Sequence, residues 1–374
     1  MSDIQSNNMK KRITQKEIAK DLGVGYITVQ RALQGIGYVS TELKKRIIAY
    51  ADKVGYKPSR AAQTLGRKKI RHIALFSSDF PSYFWEEVRK GALTAGEQIS
   101  SFNYNVTYHT VAYRDTPAYI DTLKNVCSSG VDAIGIAGQT EFHMNHIINW
   151  IEQVKIPYAT FNVDVPDSNR ISYVGPDYAE GGKLAAEFLV KVAGERANIG
   201  IINACRDVSS GRFDSIDNTE RQRGFLSYIE SYSSVGYGVL YLGAGMNHME
   251  AVDTVKIFIS SSPGGFDGLY YISSDHEVLF EAIDQVERTP PLPVITHDMH
   301  PSIETYLMNG KVTAVIDQNP FLQGYYVVLG LERYIEAARI PDERCMLVTH
   351  QLVLNTNKHL SRNQYFVQKF GVSG

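Results

Sequence analysis

The sequence predicts an α/β protein in which a small all-α unit of helix-turn-helix type precedes a two-lobed domain built on parallel sheets. Three observations support this prediction. Near the N-terminus, two short amphipathic stretches flank a glycine-containing turn at Gly23. After about residue 70, short apolar runs alternate with longer amphipathic stretches. The charge also changes sign along the chain, since there are 16 Lys and Arg against 5 Asp and Glu up to Arg71, and 22 against 35 in the remainder.

Length and composition exclude several classes of protein. The 374 residues, 44% hydrophobic and 21% charged, are typical of a globular chain of two or three domains. No run approaches the roughly 20 apolar residues of a membrane helix, and the first residues lack the apolar stretch of a secretory signal. We therefore expect a cytoplasmic protein without a membrane partner. The three cysteines are too scattered for a disulfide framework or a metal site, and the sequence predicts neither a metal nor a cofactor.

The N-terminal unit is predicted to hold three helices. Thr14 and Glu17 fit a capping box for the first helix, and Gly23 interrupts the pattern before a second helix at Tyr26–Leu33. Ser40 is a candidate cap for the third helix. Such a unit could dock another protein, but its basic charge favours a polyanion, because Lys and Arg placed on phosphates release counterions.

Four motifs make this part of the sequence specific. They are T-x-x-E-I-A-x-x-x-G-V at Thr14–Val24, T-V-x-R-x-L at Thr28–Leu33, V-S at Val39–Ser40 and G-Y-K-P-x-x-A-A at Gly55–Ala62. The stretch that contains them resembles the DNA-binding headpiece of the lactose/galactose-repressor (LacI/GalR) family. The resemblance implies a headpiece over residues 1–57, a hinge helix or linker over residues 58–69, and operator DNA bound by a homodimer.

The resemblance also assigns DNA contacts. Arg31 can bind a guanine edge in a bidentate manner, whereas Ile27 can read a base only by apolar contact. Leu65 matches the residue that wedges into the minor groove in the family. Ser59 departs from the asparagine usual there. The expected contacts are Tyr26, Ile27 and Arg31 at bases, Thr14, Thr28 and Gln30 near phosphates, and Ser59, Ala62 and Leu65 in the hinge.

The larger part of the chain is predicted to form two lobes. Ten apolar runs are too many strands for one compact core. Strands that alternate with helices form parallel sheets, whose ligands bind at the carboxyl ends of the strands, so a ligand site is expected between the lobes. The runs begin at His72, Val106, Ala133, Tyr158, Asn198, Gly238, Gly268, Pro293, Thr313 and Leu347.

Further motifs extend the resemblance over nearly the whole chain. They include P-S-Y-F-W-E-E-V at Pro81–Val88, Y-V-G-x-D-x-x-x-G-G at Tyr173–Gly182, R-x-R-G-F at Arg221–Phe225 and V-I-D-Q-N-P-x-x-Q-G at Val315–Gly324. These stretches are similar to the periplasmic sugar-binding fold that the same family carries. The resemblance implies a ligand-binding and dimerisation domain over residues 70–374. One lobe would hold about 70–164 plus 298–325, and the other about 165–297 plus 326–374. Tyr178 replaces the asparagine usual in the second motif.

The ligand residues implied by the resemblance suit a sugar. Aromatic rings pack on the C–H faces of a sugar, while carboxylates, amides and Arg bind its hydroxyls. Arg221 would also admit an anionic ligand, but no second cation accompanies it, which favours a neutral sugar. The expected ligand-facing residues are Phe84, Trp85, Asn162, Arg221, Ser274 or Asp275, Asp298 and Gln318.

Together these features predict a DNA-binding transcriptional regulator, in the repressor mode, whose DNA affinity responds to a monosaccharide or derivative. A repressor that needs a purine corepressor is one alternative. A solute-binding protein without a DNA function is another, which the basic headpiece and the missing export signal oppose. The glycine-rich stretches lack the spacing of nucleotide-binding loops, and there is no nucleophile elbow, so we do not expect an enzyme.

Overall fold

The computed structural model describes residues 13–34, 38–56, 69–112, 115–137, 141–207, 212–213, 216–232, 234–243, 245–261, 265–286 and 291–358. The chain divides into two compact units, Met1–Lys68 and Lys69–Gly374. Among the described helices, none combines the length and the apolar character needed to cross a bilayer.

Three helices form the N-terminal unit, as the sequence predicts. They are α1 (Gln15–Leu22), α2 (Tyr26–Gln34) and α3 (Thr41–Lys53). Each contributes a fully buried aliphatic side chain to a common core, namely Ile18, Val29 and Ile47 respectively. Because the helices are short, this shared core rather than helix propensity holds them in place.

The ends of α1 follow the predicted signals. The Glu17 amide donates to Thr14 Oγ1 at 3.3 Å and Glu17 Oε2 accepts from the Thr14 amide at 2.8 Å, which confirms the capping box. Gly23 ends the helix in the left-handed conformation, with φ of 65°, which glycine adopts without steric cost. Ser40 stands at the predicted start of α3, but its hydroxyl makes no capping hydrogen bond.

Lobe 1 contains a parallel sheet covered by helices on both faces. Its strands are β1 (Arg71–Ser78), β2 (Tyr104–Val111), β3 (Ala133–Ala137), β4 (Tyr158–Phe161), β5 (Tyr173–Gly175) and β12 (Cys345–Leu347). Their order across the sheet is β12-β5-β4-β3-β1-β2. The helices are α4 (Ser82–Ser100), α5 (Thr116–Ser128), α6 (Glu141–Val154) and α12 (Pro320–Ala337). Strands β3 and β4 are buried along their whole length, as expected where helices cover both faces.

Lobe 2 contains the second sheet. Its strands are β6 (Asn198–Asp207), β7 (Arg212–Phe213), β8 (Gly236–Gly243), β9 (Gly268–Tyr271), β10 (Val294–His297), β11 (Ala314–Asp317) and β13 (Gln351–Val353). The order is β13-β11-β10-β9-β6-β7, and β8 also pairs with β6. The pairs made by β7 and β13 are antiparallel, and the others are parallel. The helices are α7 (Tyr178–Ala193), α8 (Ile216–Ile229), α9 (His248–Ser261), α10 (His276–Asp284) and α11 (Ile303–Met308). The predicted two-lobed α/β class is therefore confirmed.

The lobes divide the chain differently from the predicted boundaries of residues 164, 298 and 325. Strand β5 belongs to lobe 1, whereas β11 belongs to lobe 2 and the helix that follows it, α12, packs on lobe 1. The run predicted as one strand from Leu347 is two strands, β12 and β13, in opposite lobes. The chain thus crosses between the lobes after β5, after β11 and after β12. Hydrophobic pattern alone cannot place these crossings, since both sheets bury apolar strands.

Helix pairs in both lobes cross at glycines. A Cβ built on Gly324 of α12 would lie 1.9 Å from the Val88 carbonyl oxygen of α4. In lobe 2, a Cβ on Gly182 of α7 would lie 1.9 Å from the Arg221 carbonyl oxygen of α8. Only glycine permits backbones to approach this closely, so Gly324 fixes how α12 packs on α4, and Gly182 fixes how α7 packs on α8.

We expect Gly324→Ala to destabilise the protein, because the added methyl meets backbone rather than a flexible side chain. The loss should be about 1–3 kcal/mol or more. Gly330→Ala, on the same helix, is the matched control, since its Cβ would meet only Ser172 Oγ, at 3.7 Å. That variant should be neutral or more stable by up to about 1 kcal/mol. Urea unfolding midpoints measure the stability of both variants. Equal midpoints would contradict a requirement for glycine at position 324.

Candidate functional site

The start of α2 presents the side chains that the sequence assigned to base contacts. Tyr26 is 44% exposed and Ile27 is 61% exposed, although both are large and apolar in character. Arg31 is also exposed, whereas Thr28 and Gln30 are half-buried. An exposed aromatic and aliphatic pair beside an arginine is a surface that can contact base edges.

The remaining predicted DNA contacts have different surroundings. The Thr14 hydroxyl donates to Glu17 Oε2 at 3.0 Å, so it is already engaged in the helix cap while its residue stays exposed. Ser59, Ala62 and Leu65, the predicted hinge contacts, lie outside the described residues.

In the larger unit, four of the predicted ligand residues join one chain of polar contacts that links the two lobes. Arg221 Nη2 lies 3.7 Å from Asp298 Oδ2, and Gln318 Nε2 donates to Asp298 Oδ1 at 2.8 Å. Gln323 Nε2 donates to the Gln318 carbonyl oxygen at 2.9 Å, and Asn162 Nδ2 donates to Gln323 Oε1 at 3.3 Å. All five side chains are buried. We call these residues, Asn162, Arg221, Asp298, Gln318 and Gln323, the interlobe cluster.

The strand ends bring these residues together. Asn162 follows β4, Asp298 follows β10 and Gln318 follows β11. Asn162 and Asp298 have left-handed backbones, with φ of 64° and 63°. Such conformations are sparsely populated for residues other than glycine and concentrate at functional sites.

Arg221 is the central charge of the interlobe cluster. It is 2% exposed, its Nη1 lies 3.5 Å from Asp217 Oδ2, and its guanidinium lies 5.2 Å from the centre of the Tyr178 ring. Burial acts against its charge, but Asp298 and Asp217 outweigh this effect, so its pKa is raised. Among the described residues, neither Nε nor Nη2 has a hydrogen-bond partner. Buried N–H groups are rarely left unpaired. Nε and Nη2 lie on the same edge of the guanidinium, and this edge can donate to two oxygen atoms at once.

Two buried carboxyl groups in this region hold protons more tightly than usual. Burial raises the pKa of Asp298, although Arg221 and Gln318 oppose the effect. Burial, with the neighbouring charge of Asp298, raises the pKa of Asp317 to about 8. At neutral pH Asp317 is therefore largely protonated, so it adds little negative charge next to the interlobe cluster.

A second set of polar residues lies along the lobe 2 sheet, and the sequence analysis missed all of them except His297. Asn203 Nδ2 donates to Gln222 Oε1 at 2.7 Å, and Gln222 Nε2 donates to the Tyr241 hydroxyl at 2.7 Å. His297 Nε2 lies 2.6 Å from the Tyr270 hydroxyl. Asn203 Oδ1 and His297 Nδ1 have no partner in the described part of the chain. A polar residue that ends an apolar run was the available signal at Asn203 and His297, whereas Gln222 stands inside a helix and gave none.

The other predicted ligand residues lie outside the interlobe cluster. Phe84 and Trp85 are buried in the apolar core of lobe 1, and Trp85 Nε1 donates to the Phe80 carbonyl oxygen at 2.9 Å. Ser274 is half-buried and Asp275 is exposed. In the described part of the chain, no group of three or more His, Cys, Asp or Glu side chains is placed to hold a metal ion.

Comparison with known proteins agrees with this architecture. The model of the bacterial regulatory proteins of the lacI family matches residues 14–59, and a periplasmic binding protein domain matches residues 73–338. The chain therefore carries a DNA-binding domain of the lacI family and, over more than half of its length, a periplasmic binding protein domain. Members of this family are regulatory proteins rather than enzymes.

Individual lacI-family relatives are distant. The probable transcriptional repressor ExuR of Bacillus subtilis is 28% identical over 222 residues, which are 58% of this chain and 60% of the relative. The ribose operon repressor of Lactococcus lactis is 28% identical over 193 residues, 51% of this chain and 55% of the relative. The alignments thus span little more than half of these relatives. The structure of GanP, a glucose-galactose binding protein from Geobacillus stearothermophilus, shares the fold with a TM-score of 0.67 and 22% identity, covering 78% of this chain and 99% of GanP.

The raised pKa of Asp317 predicts a pH dependence of stability. Between its ordinary value of 3.8 and about 8, the unfolded chain ionises this group while the folded protein keeps the proton. The folded state then binds more protons, so the contribution of Asp317 to stability declines as the pH rises through this window. Asp317→Asn keeps a neutral side chain and removes the titration. We expect the wild type to lose stability relative to this variant between pH 4 and about 8. Thermal unfolding across this range measures the difference, and parallel curves would contradict it.

Proposed function

We propose that this protein is a sequence-specific transcriptional repressor of carbohydrate-utilisation genes, which acts in the cytoplasm as a homodimer on operator DNA. A small neutral sugar or sugar derivative, bound between the lobes, controls its DNA affinity. The observation that carries the proposal is the buried guanidinium of Arg221, two of whose N–H groups find no partner among the described residues. The chain also exposes Tyr26, Ile27 and Arg31 on a short N-terminal helix.

The DNA-binding step rests on the α2 surface and its charge. In helix-turn-helix proteins the second helix enters the major groove with its first residues on base edges. Tyr26 and Ile27 are the first two residues of α2, and Arg31 follows one turn later. A dimer would place two copies of this helix on successive major grooves, which gives a palindromic operator.

The effector step rests on the balance of charge around Arg221. Asp217 and Asp298 offset the guanidinium, so the interlobe cluster offers hydrogen-bond donors with little net positive charge. A neutral polyol matches this arrangement, because its vicinal hydroxyls accept from Nε and Nη2. An anionic sugar would instead meet two acidic side chains near its carboxylate.

Coupling between the two steps rests on the three chain crossings between the lobes. A ligand that contacts residues of both lobes prefers one lobe arrangement, and it shifts an equilibrium only by that difference in affinity. Differences of 1–3 kcal/mol are typical of such coupling. The relatives named as transcriptional repressors support the repressor mode for this chain.

Arg31→Ala tests the assignment of the base contact. We expect a loss of about 1–3 kcal/mol on the best operator and a relaxed sequence preference, as for loss of a bidentate base contact. Gel-shift titrations on an operator selected from a random pool, and on random duplex, measure both effects. Lys53→Ala, at the exposed end of α3, is the control and should affect both duplexes alike. An equal loss on both duplexes for Arg31→Ala would contradict base reading.

The effector is tested by thermal shift with neutral monosaccharides and the corresponding sugar acids. A neutral sugar at a hundredfold excess over its Kd should add about 2.7 kcal/mol of stability. Arg221→Gln should abolish this shift. Arg223→Gln, two residues along the same helix, should retain it, because the Arg223 side chain is 65% exposed and pairs with Glu220. Stabilisation by the acids alone, or equal responses of the two variants, would contradict a neutral effector bound at Arg221.

A further inference from the structure

One tyrosine of lobe 1 reaches across to lobe 2. Tyr83 lies in the first turn of α4, and its hydroxyl is 3.2 Å from His276 Nδ1 and 3.4 Å from the Ser274 carbonyl oxygen. His276 is the first residue of α10, just after the carboxyl end of β9. The contact therefore joins the two lobes beside the strand ends that carry the interlobe cluster.

The hydrogen bonds of His276 determine the direction of this contact. His276 is 1% exposed, and its Nε2 lies 2.8 Å from the His297 carbonyl oxygen. A carbonyl only accepts, so Nε2 carries the proton. Burial lowers the pKa of His276 to about 3, and the ring is neutral at pH 7. Nδ1 therefore has a free lone pair and accepts from Tyr83, whose own pKa burial raises well above its ordinary value.

Ring packing places Tyr83 firmly against lobe 2. Its ring meets the His300 ring edge-on, with centroids 5.0 Å apart, and the His276 ring at 6.0 Å. The His276 ring in turn stacks on Phe280, and Phe280 stacks on Tyr306 at 3.9 Å. Tyr83 is thus the lobe 1 member of an aromatic group whose other members belong to lobe 2.

The same histidine also holds the backbone of the interlobe cluster. The carbonyl that His276 Nε2 binds belongs to His297, which directly precedes Asp298. Separation of the lobes would break the hydrogen bond between the Tyr83 hydroxyl and His276 Nδ1, which is unfavourable.

We propose that Tyr83 and His276 form a cross-lobe latch, a positioning pair that holds the lobes closed over the interlobe cluster. The inference rests on the proposed function in taking that cluster as the effector site. It assigns a role in lobe closure to two residues that need not touch the effector.

The ratio of open to closed molecules tests the latch without DNA or sugar. Spin labels on Asp121→Cys of α5 and Asp253→Cys of α9 would report the distance between the lobes in the full chain, with the native cysteines changed to serine. Both sites are exposed on their lobes, at 71% and 62% of the side chain. Tyr83→Phe keeps the ring and removes only the hydroxyl. We expect it to raise the open-to-closed ratio about three- to tenfold, the usual effect of one lost hydrogen bond.

Tyr306→Phe is the matched control. Its hydroxyl donates to Asp284 Oδ2 at 2.9 Å, within lobe 2 and in the same aromatic group. Its loss should leave the ratio unchanged. An unchanged ratio in Tyr83→Phe, or an equal shift in Tyr306→Phe, would overturn the latch.

A double-mutant cycle gives an independent check. If the two residues act together, Tyr83→Phe should have no further effect on the ratio in a His276→Phe background, whereas additive effects would refute the pair.

Failure of the proposed function would give a different result from failure of the latch. A protein that shows the expected shift in lobe distance but is stabilised by no sugar would retain the latch and lose the effector assignment.

Discussion

Burial of the Arg221 guanidinium is the constraint on which this structure depends. A buried charge costs several kcal/mol unless it is paired, and removal of one partner leaves that cost uncompensated. Two carboxylates, Asp217 on the same helix and Asp298 at the end of β10, lie within 3.5 and 3.7 Å of Arg221. Helix α8 must therefore lie close to the carboxyl end of the lobe 2 sheet. Gly182 permits this position, because it lets α7 pack directly against the Arg221 carbonyl oxygen. The helix contact that packs lobe 2 at Gly182 therefore also positions Arg221 in the site.

The two lobes are joined by polar contacts as well as by the chain itself. Gln318 follows β11 of lobe 2, yet its carbonyl oxygen accepts from Gln323 on a helix of lobe 1. Asn319, between them, takes a left-handed backbone with φ of 52°, which turns the chain from one lobe to the other. The crossing after β11 therefore carries part of the interlobe cluster. A ligand that completes the hydrogen bonds of Arg221 would act directly on the residues that connect the lobes.

Local signals in the sequence predicted the elements well and the long-range arrangement less well. The capping box at Thr14 and Glu17 depends on residues three apart, and the structure contains it. The run from Leu347 was predicted as one strand, but the structure has two strands there, in opposite lobes. A pattern of apolar residues can indicate a strand, but it does not show which sheet the strand joins. Strand β5 escaped prediction as a separate strand, since three residues are too few to show a period.

The same distinction holds for the site. Family motifs located Asn162, Arg221, Asp298 and Gln318, which the structure joins in one polar chain. The contact of Tyr83 with His276 spans 193 residues, and no sequence pattern connects them. Burial and the choice of tautomer are properties of the folded molecule, so the polar groups with unusual pKa values could be recognised only in the structure.

Tyr178, which replaces the asparagine usual in the family, shows how one substitution acts on both lobes. Its ring lies against the Arg221 guanidinium, at 5.2 Å from centroid to carbon, an arrangement that stabilises a cation. Its hydroxyl donates to the Asn162 carbonyl oxygen at 2.8 Å, where β4 of lobe 1 ends. An asparagine side chain is too short to make both contacts from the same backbone position. Tyr178 therefore stabilises the buried charge of Arg221 in lobe 2 and also the left-handed backbone at Asn162 in lobe 1. One side chain thus contacts residues of the interlobe cluster from both lobes.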